Sequence, residues 1–232
     1  MRLKVATWNM AHRARAWRYV DALAADVTLL QESTSPKPAR DCCLWRSVGG
    51  TRRWGSAIVT SGLRLTPVPL KRNDYPGSLV AADLHLPGRA PIVVVSMYGQ
   101  LDEHTYSMTS LHRMLSDLTH LLEGKLRKGG KPKVILGGDL NASPQWDDQY
   151  RTRSHRNFFG RLEAFGLVDC QGTFTTDRPR TLRHTTSRLP WVIDWIFASE
   201  SLAKKVTGHT VIESEEMLSL SDHNPVVVTF EL

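Results

Sequence analysis

The chain has 232 residues, 41% hydrophobic and 23% charged, with a net charge of +7 and a pI near 9.5. That length suits one sizeable core, so a single domain over residues 1–232 is expected; the apolar runs are all interrupted by Pro, Gly or charge, so no membrane-spanning helix and no stable membrane association are expected. The opening MRLKVATWNM lacks the long apolar stretch of a signal peptide, and the three cysteines have no metal-finger spacing, so the expected compartment is the cytosol, with reduced thiols.

Short β-like runs come first and keep recurring. LKVATW, VTLLQE, SAIVTS, SLVAADLHL, PIVVVSMYG, KVILGGD, WVIDWIFAS and NPVVVTFEL are mostly rich in Val and Ile and bounded by Gly, Pro or Asp. Several are apolar almost throughout, as strands covered on both faces are. A short helix is predicted over 16–25, with Trp17, Val20 and Ala24 facing inward. The clearest helix covers about 104–122, where Met108, Leu111, Leu115, Leu118 and Leu122 form one apolar stripe and Gly124 supplies a stop. A third covers 158–165. Helices interrupt the strands only intermittently, which fits two packed sheets with helices outside better than one doubly wound sheet.

Polar groups stand at or within these apolar runs. The stretch VILGGDLNASPQW turns through two glycines and then offers Asp139 and Asn141, two positions apart. Asn9 ends the first strand and Glu32 the second; Tyr98 follows VVVSM; Asp222 and His223 directly precede the last strand. Asp194 sits between Ile193 and Trp195, and an ionised carboxylate there needs a charged or hydrogen-bonding partner, for which a histidine is suited. Each of the other groups alone has an ordinary use as a turn, cap or half-buried aromatic. Six such segments in one chain point to metal, proton or phosphate chemistry.

Taken together, TWNM, LLQES, SMYG, GGDLNASP, WVIDWIF and SDHNPVVV resemble the ordered signature of the endonuclease/exonuclease/phosphatase superfamily, the DNase-I-like fold, from residue 7 to about 229. The resemblance implies an α/β (α+β) four-layer sandwich of two mostly antiparallel β-sheets flanked by helices, with a site at one edge of the packed sheets. It also implies magnesium-dependent hydrolysis of phosphate esters. Magnesium takes hard oxygen ligands and keeps several waters, so Glu32, with Asp222 directly or through water, is the expected ligand set, Mn2+ being a possible substitute. Asp139 is expected to accept a proton from the attacking water or to orient it. Asn141 would hold water or phosphate, and His223, kept cationic by Asp194, would donate to a phosphate oxygen. Asn9 would position Asp139, and Tyr98 would contact the phosphate. A His223 base supported by Asp139 is the chemical alternative, and one or two metal ions remain open. Relatives of exonuclease III carry an aspartate two residues after the first asparagine; Ala11 stands there in this chain.

Within the superfamily the resemblance leans to the exonuclease III and abasic-endonuclease branch: Tyr98 stands where DNase I has histidine, and WVID places Trp191 three residues before Asp194. Trp191 and Phe174 correspond to aromatics that line a sugar pocket in that branch, or they are core packing. Arginine-rich connections, such as Arg13, Arg15 and Arg18 or Arg151, Arg153 and Arg156, would contact phosphates without reading sequence. The expected partner is nucleic acid, DNA in the first place, and no protein partner is indicated. The alternatives are a phosphatase or phosphodiesterase for a small-molecule or lipid ester, and a non-catalytic binding module on the same fold.

Overall fold

The computed structural model describes residues 1–70, 72–123, 133–172, 178–183 and 190–232. Strand β1 (Arg2–Asn9) leads into two 3-10 turns, Ala14–Tyr19 and Asp21–Leu23. Then follow β2 (Val27–Thr34), β3 (Cys43–Ser47), β4 (Trp54–Thr60), β5 (Arg64–Pro67), β6 (Leu79–His85) and β7 (Ile92–Met97). Helix α1 (Met108–Leu122) precedes β8 (Val134–Asp139), α2 (Pro144–Tyr150), α3 (Ser154–Ala164) and β9 (Leu167–Asp169). The chain closes with β10 (Asp194–Ser199), α4 (Glu200–Ala203), β11 (Val206–Val211), α5 (Glu215–Leu220) and β12 (Val226–Glu231).

The described strands form two six-stranded sheets, ordered β11-β12-β1-β2-β4-β3 and β5-β6-β7-β8-β10-β9. Each sheet has one parallel pair, β1 with β2 and β7 with β8; the other pairs are antiparallel. Alternate residues of a strand face opposite ways, and here both faces are covered. Leu3, Val5, Leu29, Val94, Ile135 and Ile196 meet between the sheets. On the far side of the second sheet, Val95, Met97 and Leu136 pack under Leu111, Leu115 and Leu118 of α1 and Phe158 and Leu162 of α3. On the far side of the first, Ala6, Trp8 and Leu30 pack under Trp17, Val20, Leu23 and the α5 residues Met217 and Leu220. The result is the four-layer DNase-I-like sandwich, with the inner strands largely apolar because most of their residues are covered on both faces.

Three local differences from the sequence reading have physical causes. The segment predicted as a helix over 16–25 forms two 3-10 turns. At three residues per turn, Trp17, Val20 and Leu23 align and are buried, while Ala24 is exposed and turns the chain at φ 47°. Helix α1 begins at Met108 rather than 104 because the Asp102 carboxylate draws the amides of His104 and Thr105 into a turn, at 2.8 and 2.6 Å. Helix α3 starts four residues earlier than expected, at Ser154. The expected stop at Gly124 lies outside the described residues.

Candidate active site

The site grows from the ends of β1, β2, β7, β8 and β10 and the turn before β12. Its centre is fixed by register: Asp139 on β8 and Asp194 on β10 are paired across the antiparallel ladder. The two glycines before Asp139 permit this crowding. A Cβ on Gly138 would strike the Met97 carbonyl, and one on Gly137 would meet Leu29 and the Trp195 carbonyl. Gly99 closes the same junction, because a Cβ there would strike the Leu140 carbonyl; its amide donates to the Asp139 carbonyl at 2.9 Å. The ends of β7 and β8 are thereby brought together, and Tyr98 is placed beside Asp139.

Asp139 is almost wholly buried. Its Oδ2 accepts from the Asn9 amide at 2.8 Å, and its Oδ1 accepts from the Asn141 backbone N–H at 2.8 Å. Asn141, at φ 46°, spends one amide proton on the Gly99 carbonyl at 3.0 Å. Burial pushes the Asp139 carboxyl up to about 7, with His223 pulling it down and Asp194 adding to the rise.

His223 stands between the two aspartates. Nδ1 meets Asp194 Oδ2 at 2.9 Å, and Nε2 lies 3.7 Å from Asp139 Oδ2. Burial alone would lower the imidazole; the carboxylates of Asp194 and Asp139 outweigh it and hold the ring cationic up to about 10. The ring is also held through its backbone. Its carbonyl accepts from Trp8 Nε1 at 3.1 Å, and its amide donates to Ser221 Oγ at 3.0 Å, whose hydroxyl donates to the Asn9 carbonyl at 2.7 Å. Asp194 is steadied by Thr181, whose hydroxyl oxygen accepts from the amides of Ile193 and Asp194, each at 3.0 Å.

Glu32 reaches the site through a defect in its strand. The β2–β4 register shifts between Leu30 and Ser33, and Glu32 takes φ 46° in the bulge. Its carboxylate approaches the Tyr98 hydroxyl, which also contacts the Asn141 amide. Burial, with the charges of Glu32 and Asp139, raises the Tyr98 phenol far above its ordinary value, so it stays protonated as a donor. Asp222 is exposed, its carbonyl accepts from the Arg183 amide at 2.8 Å, and its charge reaches His223.

Of the residues read from sequence, Asn9, Tyr98, Asp139, Asn141, Asp194 and His223 share one set of contacts, with Glu32 joined through Tyr98. Asp222 stands at the outer lip. Trp191 is buried against Trp146, ring centroids 5.4 Å apart, and Phe174 lies outside the described residues. Asp139, Asp194 and His223 offer ligand atoms within 4.8 Å of one another, a group that could hold a metal. His12 escaped the sequence reading: its Nε2 lies 2.9 Å from Glu32 Oε2. The supporting hydroxyls of Thr181 and Ser221 escaped it too, since nothing in a linear pattern distinguishes them from other Thr and Ser.

Residues 6–223 match the Endonuclease/Exonuclease/phosphatase family, and the chain belongs to that family of phosphoric ester hydrolases. No curated protein matches the sequence. Among solved structures it is similar to the endonuclease domain of TRAS1, a telomere-specific non-LTR retrotransposon, at 20% identity and TM-score 0.74, covering 100% of this chain and 99% of that one. It is similar to an AP endonuclease from Archaeoglobus fulgidus at 20% identity and TM-score 0.74, covering 99% and 100%. It is also similar to the 3′ phosphatase NExo from Neisseria, solved with a product DNA hairpin, at 20% identity and TM-score 0.71, covering 99% and 100%.

Proposed function

We propose that this enzyme is a magnesium-dependent phosphodiesterase that hydrolyses nucleic-acid phosphodiester bonds, DNA being the substrate of choice. The observation that carries the reading is the clamp on Asp139: two neutral donors hold its oxygens while a buried imidazolium faces it. Such a carboxylate is held in one orientation beside the Tyr98 phenol, ready to take a proton.

The donor set suits a divalent cation. Glu32, Asp139 and Asp222 offer hard carboxylate oxygens, and Glu32 stands at the solvent-facing side where an ion could keep its waters. The Asp139–Asp194–His223 group is the weaker host: its imidazole already holds Asp194 through Nδ1 and is kept cationic, so the ring offers no lone pair to an ion. We therefore assign the ion to Glu32, with Asp222 contributing from the lip. Held there by Glu32 and Asp222, a divalent ion would supply Lewis-acid stabilisation of charge on a phosphate oxygen.

The chain's own residues do the rest. Asp139 accepts the proton of the attacking water, and the Asn9 amide on Oδ2 and the Asn141 N–H on Oδ1 fix the orientation of its carboxylate. His223, charged by Asp194, donates from Nε2 to a non-bridging phosphate oxygen as negative charge grows there. The protonated Tyr98 hydroxyl is a second donor, held in place by Glu32 and Asn141. Asn141, whose amide meets both the Gly99 carbonyl and the Tyr98 hydroxyl, offers its side-chain oxygen to water at the site. The net charge of +7 favours a polyanionic substrate. The AP endonuclease and DNA-hairpin complex among the similar structures favour DNA.

A magnesium-dependent cleavage panel tests this: plasmid, single strand, abasic duplex, RNA and a chromogenic phosphodiester, with the Asp139→Asn protein as control. Cleavage of DNA that exceeds cleavage of the small diester supports the proposal. Faster turnover of the small diester than of any nucleic acid overturns it.

A further inference from the structure

His12 lies outside the group used above, yet it touches the residue to which we assign the ion. Its backbone amide donates to the Glu32 carbonyl at 3.0 Å, and its Nε2 lies 2.9 Å from Glu32 Oε2. The loop and the bulge are therefore joined twice, by main chain and by side chain. The imidazole is not a loose surface ring. It packs on Trp54, centroids 4.9 Å apart, and Trp54 meets Tyr98 edge-on at 5.5 Å. The other side of the ring is open, with the side chain 49% exposed against 16% for Glu32.

We infer that His12 is an added ligand for the divalent cation at Glu32, giving the site one imidazole nitrogen and raising its affinity for first-row transition ions over Mg2+. In a ring with its proton on Nδ1, Nε2 carries a lone pair beside the carboxylate oxygen, 2.9 Å away, that an ion between the two could take up. Adjacent ligands of an octahedral ion with bonds of about 2.1 Å stand about 3 Å apart, the spacing at which Nε2 and Oε2 already sit. Imidazole nitrogen is a good donor to transition ions, whereas Mg2+ prefers oxygen and its own waters. The sequence has Ala11 rather than an acidic residue just before His12, so this loop offers nitrogen and no carboxylate.

The inference rests on the assignment of a cation to Glu32, and Mn2+ binding to the whole protein without substrate separates the two. The measurements are an electron paramagnetic resonance titration with Mn2+ and electron spin-echo modulation from directly bound 14N, made on the wild type, His12→Gln and His223→Gln. Wild-type protein should bind one Mn2+ with 14N modulation that disappears in His12→Gln and persists in His223→Gln. In His12→Gln the Mn2+ Kd should rise about tenfold or more, the scale on which loss of a group supporting a metal is felt, while the Mg2+ Kd, read by competition, should move less than about threefold. Mn2+ bound without 14N modulation, or with modulation that survives in His12→Gln, overturns the role of His12 and leaves the Glu32 assignment standing. Failure to bind stoichiometric Mn2+, or unchanged binding by Glu32→Gln, overturns both.

Discussion

The Asp194 carboxylate holds Nδ1 of His223 at 2.9 Å, with side-chain exposures of 0% and 7%. This pairing is a consequence of strand register: Asp194 lies opposite Asp139 on neighbouring strands, and the turn before β12 drops the imidazole between them. One imidazolium thus serves two buried carboxylates, and the protonation of the ring is decided by both.

Asp194→Asn should therefore lower the titration of His223 from about 10 toward neutrality. The sign follows from the folded value being above the ordinary one: the ring's contribution to stability is complete below about 6.5 and is lost as pH rises through the folded value. Imidazole NMR shifts against pH should show His223 protonated above pH 8 in the wild type and released earlier in the variant. The alkaline limb of the rate profile should move the same way.

On the acid side, the proposed role of Asp139 as proton acceptor requires the carboxylate form, so turnover should rise as pH passes through about 7. The Asn9 amide opposes the upward push of burial. Asn9→Ala should move the acid limb to higher pH as well as slowing turnover. A pH profile of kcat distinguishes this from a simple loss of fold, which would lower the plateau without moving the limb.

Gly138→Ala should be severely destabilising, by roughly 3 kcal/mol or more, because the new methyl meets backbone rather than a side chain that could swing away. Denaturant unfolding measures it. By contrast, Gly160→Ala on α3, where nothing lies within 4 Å of the added carbon, should be neutral or stabilising by up to about 1 kcal/mol.

Trp191 is buried beside Trp146, which also stacks on Tyr106 at 4.6 Å. Trp191→Ala should cost about 3–5 kcal/mol of stability. That loss, read by thermal or denaturant unfolding, separates a packing role from a role confined to substrate recognition, where stability would be unaffected.

The eight strands visible in the sequence are, among the described residues, the eight inner strands of the two sheets. The four that escaped, β3, β5, β9 and β11, are the four sheet edges. An inner strand covered on both faces reads as an apolar run. Edge strands such as RLTP and LVD are short and partly solvated, so they carry little signal. The same contrast holds at the site. Asp194 betrayed itself as a charge amid Val, Ile and Trp, and the motifs around Asp139 and His223 were distinctive in order. His12 was hidden because its meaning lies in the bulge at Glu32 and the ring of Trp54, neither of which is near it in sequence. The β2 bulge was also illegible, since VTLLQEST alternates no differently from a regular strand until its partner β4 is known.

The most direct test of the Asp139-centred site is single-turnover cleavage of the best nucleic-acid substrate, at saturating Mg2+ and protein, by the wild type and Asp139→Asn. Loss of the proposed proton acceptor should slow the chemical step by about 10²–10⁴-fold, with substrate Kd changed less than about threefold because phosphate contacts set binding. Chemistry within tenfold of the wild type in Asp139→Asn would contradict the account.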